Sequence, residues 1–369
     1  PKGAVATAID TINQLNKPVF AVDIPSGVDV DSGRIPGMAV KATRTITFGL
    51  PKPGLLIFPG AEFTGDLIVK SIGFPKQLLE SDVLTTHYLS ASEISSLLPK
   101  RPVTAHKGTT GQVLIIGGSP GMTGALALAT LGALRTGAGL VFAGLRPELP
   151  FPEKAPEVIV KAWPVFNRQW NLYRVIVFGP GLSTDDDGRA VLGELLSQSG
   201  TPLVIDADGL NLLADNLALL KPNTPKPPVI LTPHPGEMSR LTGIPTAELQ
   251  NNRLEIAKSF AGEWGVTLVL KGARTIIAAP DGRIYINSTG NAGMATAGMG
   301  DVLAGIIGSL LAQGLDPITA GVTGTYLHGL AGDLAAAELG PAGIIASDLL
   351  ARIPVAIQKL TDGLVERLL

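Results

Sequence analysis

From about residue 111 onward, short apolar runs alternate with longer stretches in which small and apolar residues recur at helical spacing. Residues 112–116 form an apolar run, residues 125–135 have the helical pattern, and residues 139–143 form the next run. Runs that are apolar at every position are typical of strands covered on both faces. Four more follow, at residues 173–178, 202–205, 229–232 and 266–270. The pattern predicts a mostly parallel sheet covered by helices.

Two further runs, residues 275–279 and 283–287, are separated by Pro280, Asp281 and Gly282. An Asp-Gly pair between two apolar runs favours a tight hairpin turn. We therefore predict an antiparallel pair here, which makes the sheet mixed.

The first 75 residues have a different pattern. Residues 19–23 predict a buried strand, and residues 43–48 and 66–71 predict further strands with little helix between them. Residues 75–107 contain Pro99 and Pro102 and are the predicted linker, within which residues 92–98 fit a short capped helix. A chain of 369 residues exceeds the usual size of one hydrophobic core. We therefore predict two domains, residues 1–75 and 107–369, with residues 76–106 forming a linker and the start of the second domain.

Most of the buried strands are followed by loops rich in glycine or charged residues. These loops are residues 179–182, 206–209, 232–237 and 271–274. Because open α/β sheets bind ligands at the carboxyl ends of their strands, the four loops are expected to lie on one ligand-binding rim.

The amino-acid composition limits the classes of binding partner that we expect. The chain is 45% apolar and 16% charged, with a formal net charge of -2, so nothing favours binding to nucleic acid or to an anionic membrane. The longest apolar candidate for a membrane span, residues 301–313, is interrupted by glycine and shorter than the roughly 20 residues a span needs. The absence of cysteine excludes disulfides, thiolate metal sites and thiol nucleophiles, and fits a cytoplasmic location.

Both ends of the chain add an expectation. The chain begins Pro1, Lys2, Gly3 without methionine, so we expect its N-terminus to be a truncation or processing point. The Gly- and Ala-rich residues 320–339 suit close helix packing within or between subunits, and we expect a homo-oligomer.

The strongest chemical signal is Gly298, Met299, Gly300 and Asp301, directly before an apolar helix predicted at residues 302–311. Glycines let backbone amides approach a phosphate, and the helix dipole adds partial positive charge there. A carboxylate at such a place suggests a base that takes a proton from an attacking hydroxyl. The alternative is that Asp301 only caps the helix, because Asp is favoured at that position in any protein.

Three other loops carry candidate side chains, each with a structural alternative. Lys271 can reach nucleotide phosphates or be a solvated strand end. His234 and Glu237 can face a substrate, or be a turn residue and the first-turn acid of a helix. Asp206 and Asp208 can serve Mg²⁺, or form a turn and helix cap.

Residues 117–124 form the glycine-rich loop after the first strand of the large sheet. The spacing differs from Gly-x-Gly-x-x-Gly and Pro120 stiffens the turn, so a standard dinucleotide cofactor site is not favoured. We expect a substrate-contacting loop instead.

In their order along the chain, these motifs resemble those of the ADP/ATP-dependent NAD(P)H-hydrate dehydratase family. The resemblance covers roughly residues 85–369 and implies a ribokinase-like three-layer α/β/α sandwich with a mostly parallel sheet. The motifs that carry it are Lys107-Gly108, Gly117-Gly118-Ser119, Gly179-Pro180-Gly181-Leu182, Asp206-Ala207-Asp208, His234-Pro235-Gly236-Glu237, Lys271-Gly272-Ala273-Arg274-Thr275 and Gly298-Met299-Gly300-Asp301.

The resemblance also implies a repair reaction. The S epimer of hydrated NADH or NADPH is phosphorylated on its added hydroxyl and then loses phosphate, with ADP, or else ATP, as co-substrate and Mg²⁺ as cofactor. Asp301 is then the base. The implied binding residues are Ala125, Gly181, His234 and Asp301 for the hydrate, and Lys271, Gly272, Ala273, Arg274, Thr275, Gly298 and Gly300 for the nucleotide.

The front of the chain resembles the C-terminal half of an NAD(P)H-hydrate epimerase domain, a Rossmann-like α/β fold. The likeness is carried by residues 22–29, in which Asp23 matches a substrate-contacting acid and Ser26 a potassium ligand. Nothing here corresponds to the first half of that domain, so we expect no competent epimerase activity unless another polypeptide supplies it. A structural alternative makes Asp23 a turn-capping acid.

Two other functions remain open at this point. A small-molecule kinase of the same fold would share the Gly-Met-Gly-Asp turn and Asp301. A catalytically inert nucleotide-binding or scaffold protein is the other, against which an intact Asp301 argues.

Overall fold

The computed structural model describes residues 1–151, 156–163, 169–221 and 227–365. The strands of this part of the chain are β1 (Phe20–Val22), β2 (Arg44–Phe48), β3 (Asp66–Lys70), β4 (Thr86–Tyr88), β5 (Gln112–Ile116), β6 (Leu140–Leu145), β7 (Ile159–Ala162), β8 (Val175–Phe178), β9 (Leu203–Ile205), β10 (Val229–Leu231), β11 (Thr267–Leu270), β12 (Ile276–Ala278) and β13 (Ile284–Ile286).

The α-helices are α1 (Ala4–Gln14), α2 (Pro53–Leu56), α3 (Gly60–Thr64), α4 (Lys76–Leu79), α5 (Ala91–Leu97), α6 (Thr123–Thr136), α7 (Asp186–Gln198), α8 (Asp208–Ala214), α9 (Pro235–Thr242), α10 (Thr246–Asn251), α11 (Arg253–Trp264), α12 (Met299–Ala312), α13 (Pro317–Leu339) and α14 (Ala346–Thr361). Short 3-10 helices lie at Trp170–Leu172, Leu217–Leu220 and Ala292–Met294.

The larger sheet has ten strands in the order β4-β13-β12-β11-β10-β9-β8-β5-β6-β7. Strand β12 pairs antiparallel with both β11 and β13, while the other described pairings in this sheet are parallel. The predicted hairpin and the mixed, mostly parallel sheet are therefore confirmed.

Helices cover both faces of this sheet, as expected for a ribokinase-like three-layer sandwich. Along β5, Val113 and Ile115 pack with α6, α12, α13 and α14, whereas Leu114 and Ile116 pack with α7, α8, α9 and α11. Since successive side chains of a strand point to opposite faces, an uninterrupted apolar run fills two cores at once.

A second sheet contains three parallel strands in the order β1-β2-β3. The predicted burial of its first strand is wrong: Phe20 and Val22 are 61% and 72% exposed, and only Ala21 between them is buried. The reason is that β1 lies at the edge of the sheet, and the face that carries Ala21 is the packed one. Leu56 and Ile57, from the same region, belong to a core of the large sheet, so the two sheets pack together.

The predicted linker contains more structure than its composition suggested. Strand β4 lies within it and pairs in parallel with β13 at the edge of the large sheet. Helix α5 follows, and Ser90 and Glu93 form the capping box that fixes its start. Part of residues 76–106 therefore belongs to the large sheet, because pairing with a distant strand overrides a polar, proline-containing pattern.

Candidate active site at the carboxyl edge of the large sheet

Four ionisable side chains from four separate segments meet at the carboxyl edge of the large sheet, and we refer to Asp206, Glu237, Lys271 and Asp301 as the rim cluster. Asp206 follows β9 and Lys271 follows β11. Glu237 lies in the first turn of α9, after β10, and Asp301 lies in the first turn of α12. Asp206, Glu237 and Lys271 reach one edge because β9, β10 and β11 are parallel neighbours, and the first turn of α12 brings Asp301 beside them.

Lys271 is the cation that the carboxylates share. Its ammonium donates to Asp206 Oδ1 at 2.6 Å and lies 3.8 Å from Glu237 Oε2. Asp206 and Glu237 are both buried, with 1% and 5% of their surfaces exposed. Burial alone would lower the pKa of Lys271, but the charges of Asp206 and Glu237 outweigh it and hold that pKa above its ordinary value. Lys271 therefore stays protonated, and it is a partly buried ion-pair member, with 18% of its side chain exposed, and not a solvated strand end.

Asp301 occupies the third position of α12, and the helix begins three residues earlier than predicted. The N-cap is Gly298, with φ of 89°, a left-handed conformation that favours glycine. The interpretation of Asp301 as a mere helix cap is therefore wrong. Burial, aided by the charge of Asp206 and opposed by that of Lys271, raises the pKa of Asp301 to about 7. A carboxyl with that pKa can take up and release a proton near neutral pH.

Gly300 allows the first turn of α12 to approach Lys271 and Asp206 closely. A Cβ at this position would lie 3.2 Å from Lys271 Nζ and 3.8 Å from Asp206 Oδ2. The first turn of the helix therefore lies against the shared ammonium, where a larger residue would crowd it. The structure brings Gly300 and Asp301 beside Lys271, and Gly298 is the N-cap of the same helix.

His234 and Glu237 form a capping box at the start of α9. His234 Nδ1 accepts from the amides of Gly236 and Glu237, at 3.0 and 3.2 Å, and Glu237 Oε2 accepts from the His234 amide at 2.7 Å. The predicted turn and first-turn acid are present, yet His234 Nε2 lies 3.4 Å from Glu237 Oε1 and the side chain is half exposed. Burial raises the pKa of Glu237 to about 7, while burial together with the charge of Lys271 lowers the pKa of His234. A neutral imidazole that accepts through Nδ1 carries its proton on Nε2, where it can donate to a ligand.

Asp206 and Asp208 have protein partners of their own. Asp206 binds Lys271, and Asp208 accepts from the Ser183 amide at 2.9 Å and from Asn211 Nδ2 at 3.2 Å. Within the described ranges no group of three or more His, Cys, Asp or Glu residues could hold a metal ion. Mg²⁺ is commonly held by one or two carboxylates together with substrate phosphates. The residues present fit that kind of shared site and not a metal cage built from protein alone.

The glycine-rich loops after β5 and β8 lie against each other. The Gly118 amide donates to the Pro180 carbonyl at 3.0 Å. A Cβ at Gly181 would lie 3.1 Å from the Cβ of Ala125 in the first turn of α6. Gly181 and Ala125, expected from separate motifs to contact the substrate, are therefore neighbours.

Residues 271–275 form a loop between β11 and β12. Gly272 and Ala273 are exposed, and Thr275 Oγ1 donates to the Gly272 carbonyl at 3.0 Å. The Arg274 guanidinium binds Tyr88 and the Ser288 carbonyl, at 3.0 and 2.7 Å. The side chain of Arg274 is thus engaged at the β4 edge, and the exposed backbone of the loop is what remains open to a ligand.

Two buried residues of this site have no role in the sequence-based prediction. The Arg253 side chain binds the loop 271–275 from beneath, and His328 Nε2 lies 2.9 Å from the Met299 carbonyl. Burial lowers the pKa of His328 to about 4, so this histidine is neutral. A single histidine within the small-residue stretch 320–339 was an available signal for His328, whereas the sequence around Arg253 resembles an ordinary helix start.

Asp23 and Ser26 lie in the other sheet, after β1. Asp23 has a left-handed φ of 65° and binds Lys52 Nζ at 2.5 Å, Thr47 Oγ1 at 2.9 Å and the Phe48 amide at 3.3 Å. We call Asp23, Thr47 and Lys52 the front cluster. The hydrogen bond from Lys52 holds the pKa of Asp23 below its ordinary value. Ser26 is exposed, and its carbonyl accepts from the Val40 amide.

A family profile described as NAD(P)H-hydrate dehydratase matches residues 113–355, which include all four residues of the rim cluster. The chain belongs to the NAD(P)H-hydrate dehydratase family. A second profile, described as YjeF-related protein N-terminus, matches residues 1–54 and so contains Asp23 and Ser26.

Full-length relatives and solved structures agree with membership of the dehydratase family. The bifunctional NAD(P)H-hydrate repair enzyme of Moorella thermoacetica is 44% identical over 98% of this chain, and the match spans 70% of that protein. The ADP/ATP-dependent NAD(P)H-hydrate dehydratase of Bacillus subtilis, crystallised with ATP and Mg²⁺, is 33% identical with a TM-score of 0.65, covering 75% of this chain and 99% of its own.

A ribokinase-like superfamily protein of Enterococcus faecalis is 30% identical with a TM-score of 0.65, covering 75% of this chain and 97% of its own. The ribokinase-like fold is therefore confirmed. Throughout the described ranges, no helix combines the length and the apolar character needed to cross a membrane.

Proposed function

We propose that the chain repairs damaged nicotinamide cofactor by nucleotide-dependent dehydration of the S epimer of NAD(P)H hydrate, with Asp301 as the catalytic base. The observation that carries the proposal is the position of Asp301 in the first turn of α12, beside Lys271 and with a pKa near 7. A base poised near neutral pH meets both demands of the reaction, since it must be ionised before the chemistry and must hold a proton afterwards.

The proposed chemistry has two steps. Ionised Asp301 accepts the proton of the ring hydroxyl while the hydroxyl oxygen bonds to the terminal phosphorus of the nucleotide, and the nucleotide leaves with one phosphate fewer. Phosphate then leaves with the electron pair of its carbon–oxygen bond. The neighbouring ring carbon loses a proton to solvent, and the electron pair of that carbon–hydrogen bond restores the ring double bond. Hydrate and ADP are converted to NAD(P)H, AMP and inorganic phosphate, or to NAD(P)H, ADP and phosphate when ATP is the donor.

The residues around Asp301 have matching roles in this proposal. Amides of the loop 271–275 and of the start of α12, including Gly298 and Gly300, bind the nucleotide phosphates, and Lys271 supplies a fixed positive charge. Ala125, Gly181 and His234 contact the hydrate. Bound Mg²⁺ would neutralise nucleotide phosphates, and because Lys271, Ser183 and Asn211 already engage Asp206 and Asp208, those phosphates would supply most of its ligands.

Several finer points belong to the same proposal. We take ADP as the preferred donor, a homo-oligomer as the assembly and the cytoplasm as the location. In the region that resembles an epimerase domain, we take Asp23 as a contact to the epimerase substrate and Ser26, which lies outside the front cluster, as a K⁺ ligand. The name of the Bacillus subtilis relative, which includes both ADP and ATP, supports a nucleotide as the phosphoryl donor. The absence of cysteine supports the location.

The decisive experiment incubates the protein with NADH hydrate, Mg²⁺ and either ADP or ATP. Dehydration predicts recovery of nicotinamide absorbance together with one inorganic phosphate per NADH restored. A small-molecule kinase of the same fold would instead accumulate a stable phosphate ester without free phosphate. Nucleotide binding without turnover of any hydrate would leave only the inert nucleotide-binding alternative.

A further inference from the structure

Arg253, the first residue of α11, is a buried arginine beneath the loop 271–275. Its residue surface is 5% exposed, and its guanidinium faces backbone oxygens. Nη1 donates to the Ala273 carbonyl at 2.7 Å, and Nη2 lies 3.3 Å and 3.4 Å from the carbonyls of Leu270 and Lys271. Among the residues that the structure describes, no carboxylate forms an ion pair with it, and burial alone accounts for the lowered pKa of its guanidinium.

The loop carries unpaired donors on its other side. Within the described ranges, the amides of Gly272, Ala273 and Arg274 donate to no protein acceptor, and Gly272 and Ala273 are exposed. Arg274 has a φ of 55° and Gly272 a φ of 142°, so the backbone does not follow an ordinary strand. Successive free amides in a turn of this kind form a concave site for an anion.

Gly272 is where the buried arginine and the loop come closest. A Cβ there would lie 3.0 Å from Arg253 Nη2. The glycine thus permits both the unusual φ and the close approach of the guanidinium. Two of the three carbonyls that Arg253 holds belong to residues of the loop itself, Lys271 and Ala273.

We propose that Arg253 is a positioning residue for the nucleotide: by binding the carbonyls of the loop 271–275 from inside, it turns the loop amides outward toward the phosphates. This inference rests on the proposed function, because it assigns the ligand of the loop. The guanidinium also leaves one buried positive charge without an acidic partner among the described residues, and an anionic ligand on the loop compensates for it. Arg253 itself touches no ligand.

The test measures nucleotide binding by calorimetry, with ATP and Mg²⁺ and separately with ADP, for wild type, Arg253→Lys and Arg253→Met. Arg283→Met is the matched control, because Arg283 lies at the neighbouring hairpin turn and pairs with Asp281. We expect Arg253→Met to weaken nucleotide binding by about tenfold or more, with a smaller loss for Arg253→Lys. The control is expected to bind as wild type does, and the KM for NADH hydrate is expected to stay within about twofold in all three variants.

A double-mutant cycle separates this role from a general loss of stability. Gly272→Ala pushes on the guanidinium from the loop side, so its effect on nucleotide binding should be smaller in the Arg253→Lys background than in wild type. The Gly272→Ala and Arg253→Lys variants still test the inference if Arg253→Met does not fold. Folded Arg253 and Gly272 variants that bind nucleotide as tightly as wild type would overturn the inference alone. A wild-type protein that binds neither ATP nor ADP would overturn the proposed function and this inference with it.

Discussion

The rim cluster and the front cluster use the same pair of residue types at similar places. In both, an aspartate directly follows a parallel strand, and its oxygen binds a lysine ammonium, at 2.6 Å for Asp206 and Lys271 and 2.5 Å for Asp23 and Lys52. Their surroundings differ, because the Asp206 side chain is 2% exposed and the Asp23 side chain 40%. Solvent therefore screens one pair and is largely excluded from the other.

The number of acids per lysine differs as well. Among the described residues Lys52 pairs with one carboxylate, whereas Lys271 serves Asp206, Glu237 and Asp301. Burial and the charge of Asp206 raise the pKa values of Glu237 and Asp301 to about 7 against the opposing charge of Lys271, while the pKa of Asp23 falls. The comparison teaches that burial and additional acids, rather than the Asp–Lys pair itself, bring carboxyl pKa values to about 7.

The largest effect is expected from Asp301→Asn. Loss of the base should reduce dehydration turnover by about a thousandfold, because general-base catalysis contributes on this order. Nucleotide binding should stay within about threefold of wild type, as the amides and Lys271 remain. Steady-state kinetics and calorimetry measure the two quantities. Turnover of the variant at the wild-type rate would refute the assigned base.

Lys271→Met should have the next largest effect, this time on stability. Removal of the shared cation leaves Asp206 buried without a partner, which costs about 3–5 kcal/mol of unfolding free energy. Lys52→Met is the matched change in the front cluster and should cost no more than about 1 kcal/mol, because that pair is partly exposed. Urea unfolding of both variants measures the difference. Equal losses would mean that burial does not distinguish the two clusters.

A third effect is pH dependence. In the proposed mechanism turnover requires ionised Asp301, so it should fall about tenfold per pH unit below pH 7. The free energy of unfolding changes with pH in the opposite direction. Because the pKa values of Asp301 and Glu237 are raised, the folded state binds their protons more tightly than the unfolded state does. The stability that Asp301 and Glu237 contribute is fully present below the ordinary carboxyl pKa and is lost as pH rises through about 7. Asp23, with its lowered pKa, contributes stability that is instead lost at acidic pH.

The pH dependence can be checked with a rate profile and with melting temperatures of wild type and Asp301→Asn across pH 5 to 8. As pH rises from 5 to 8, Asp301→Asn should lose less stability than wild type, because the amide does not ionise. A profile that is flat from pH 5 to 8 would be incompatible with Asp301 as a base whose pKa is near 7.

The smallest effect is expected from Asp23→Asn. Since Asp23 lies in the other sheet, dehydration turnover should remain within about twofold of wild type. The same kinetic assay measures it, with Asp301→Asn as the inactive reference. A large loss of turnover would show that the front cluster takes part in dehydration, which contradicts the separation of the two sites.

Much of this protein follows from local pattern. The uninterrupted apolar runs predicted β5, β8, β9, β10 and β11, and the Asp-Gly turn predicted the hairpin of β12 and β13, because these features depend on neighbouring residues and on exclusion of water. The ordered motifs also indicated the dehydratase family. Local pattern failed for β4, which forms only by pairing with β13, nearly two hundred residues away in sequence.

The chemistry at the rim depended on contacts that no local pattern contains. Asp206 and Lys271 are 65 residues apart, and Arg253 reaches the loop 271–275 from another helix. The residue types at positions 206, 237, 271 and 301 are properties of the sequence, and so is their placement after strands or at helix starts. The tertiary structure decided which of these side chains have shifted pKa values, since a pKa depends on burial and on charges that only folding brings together.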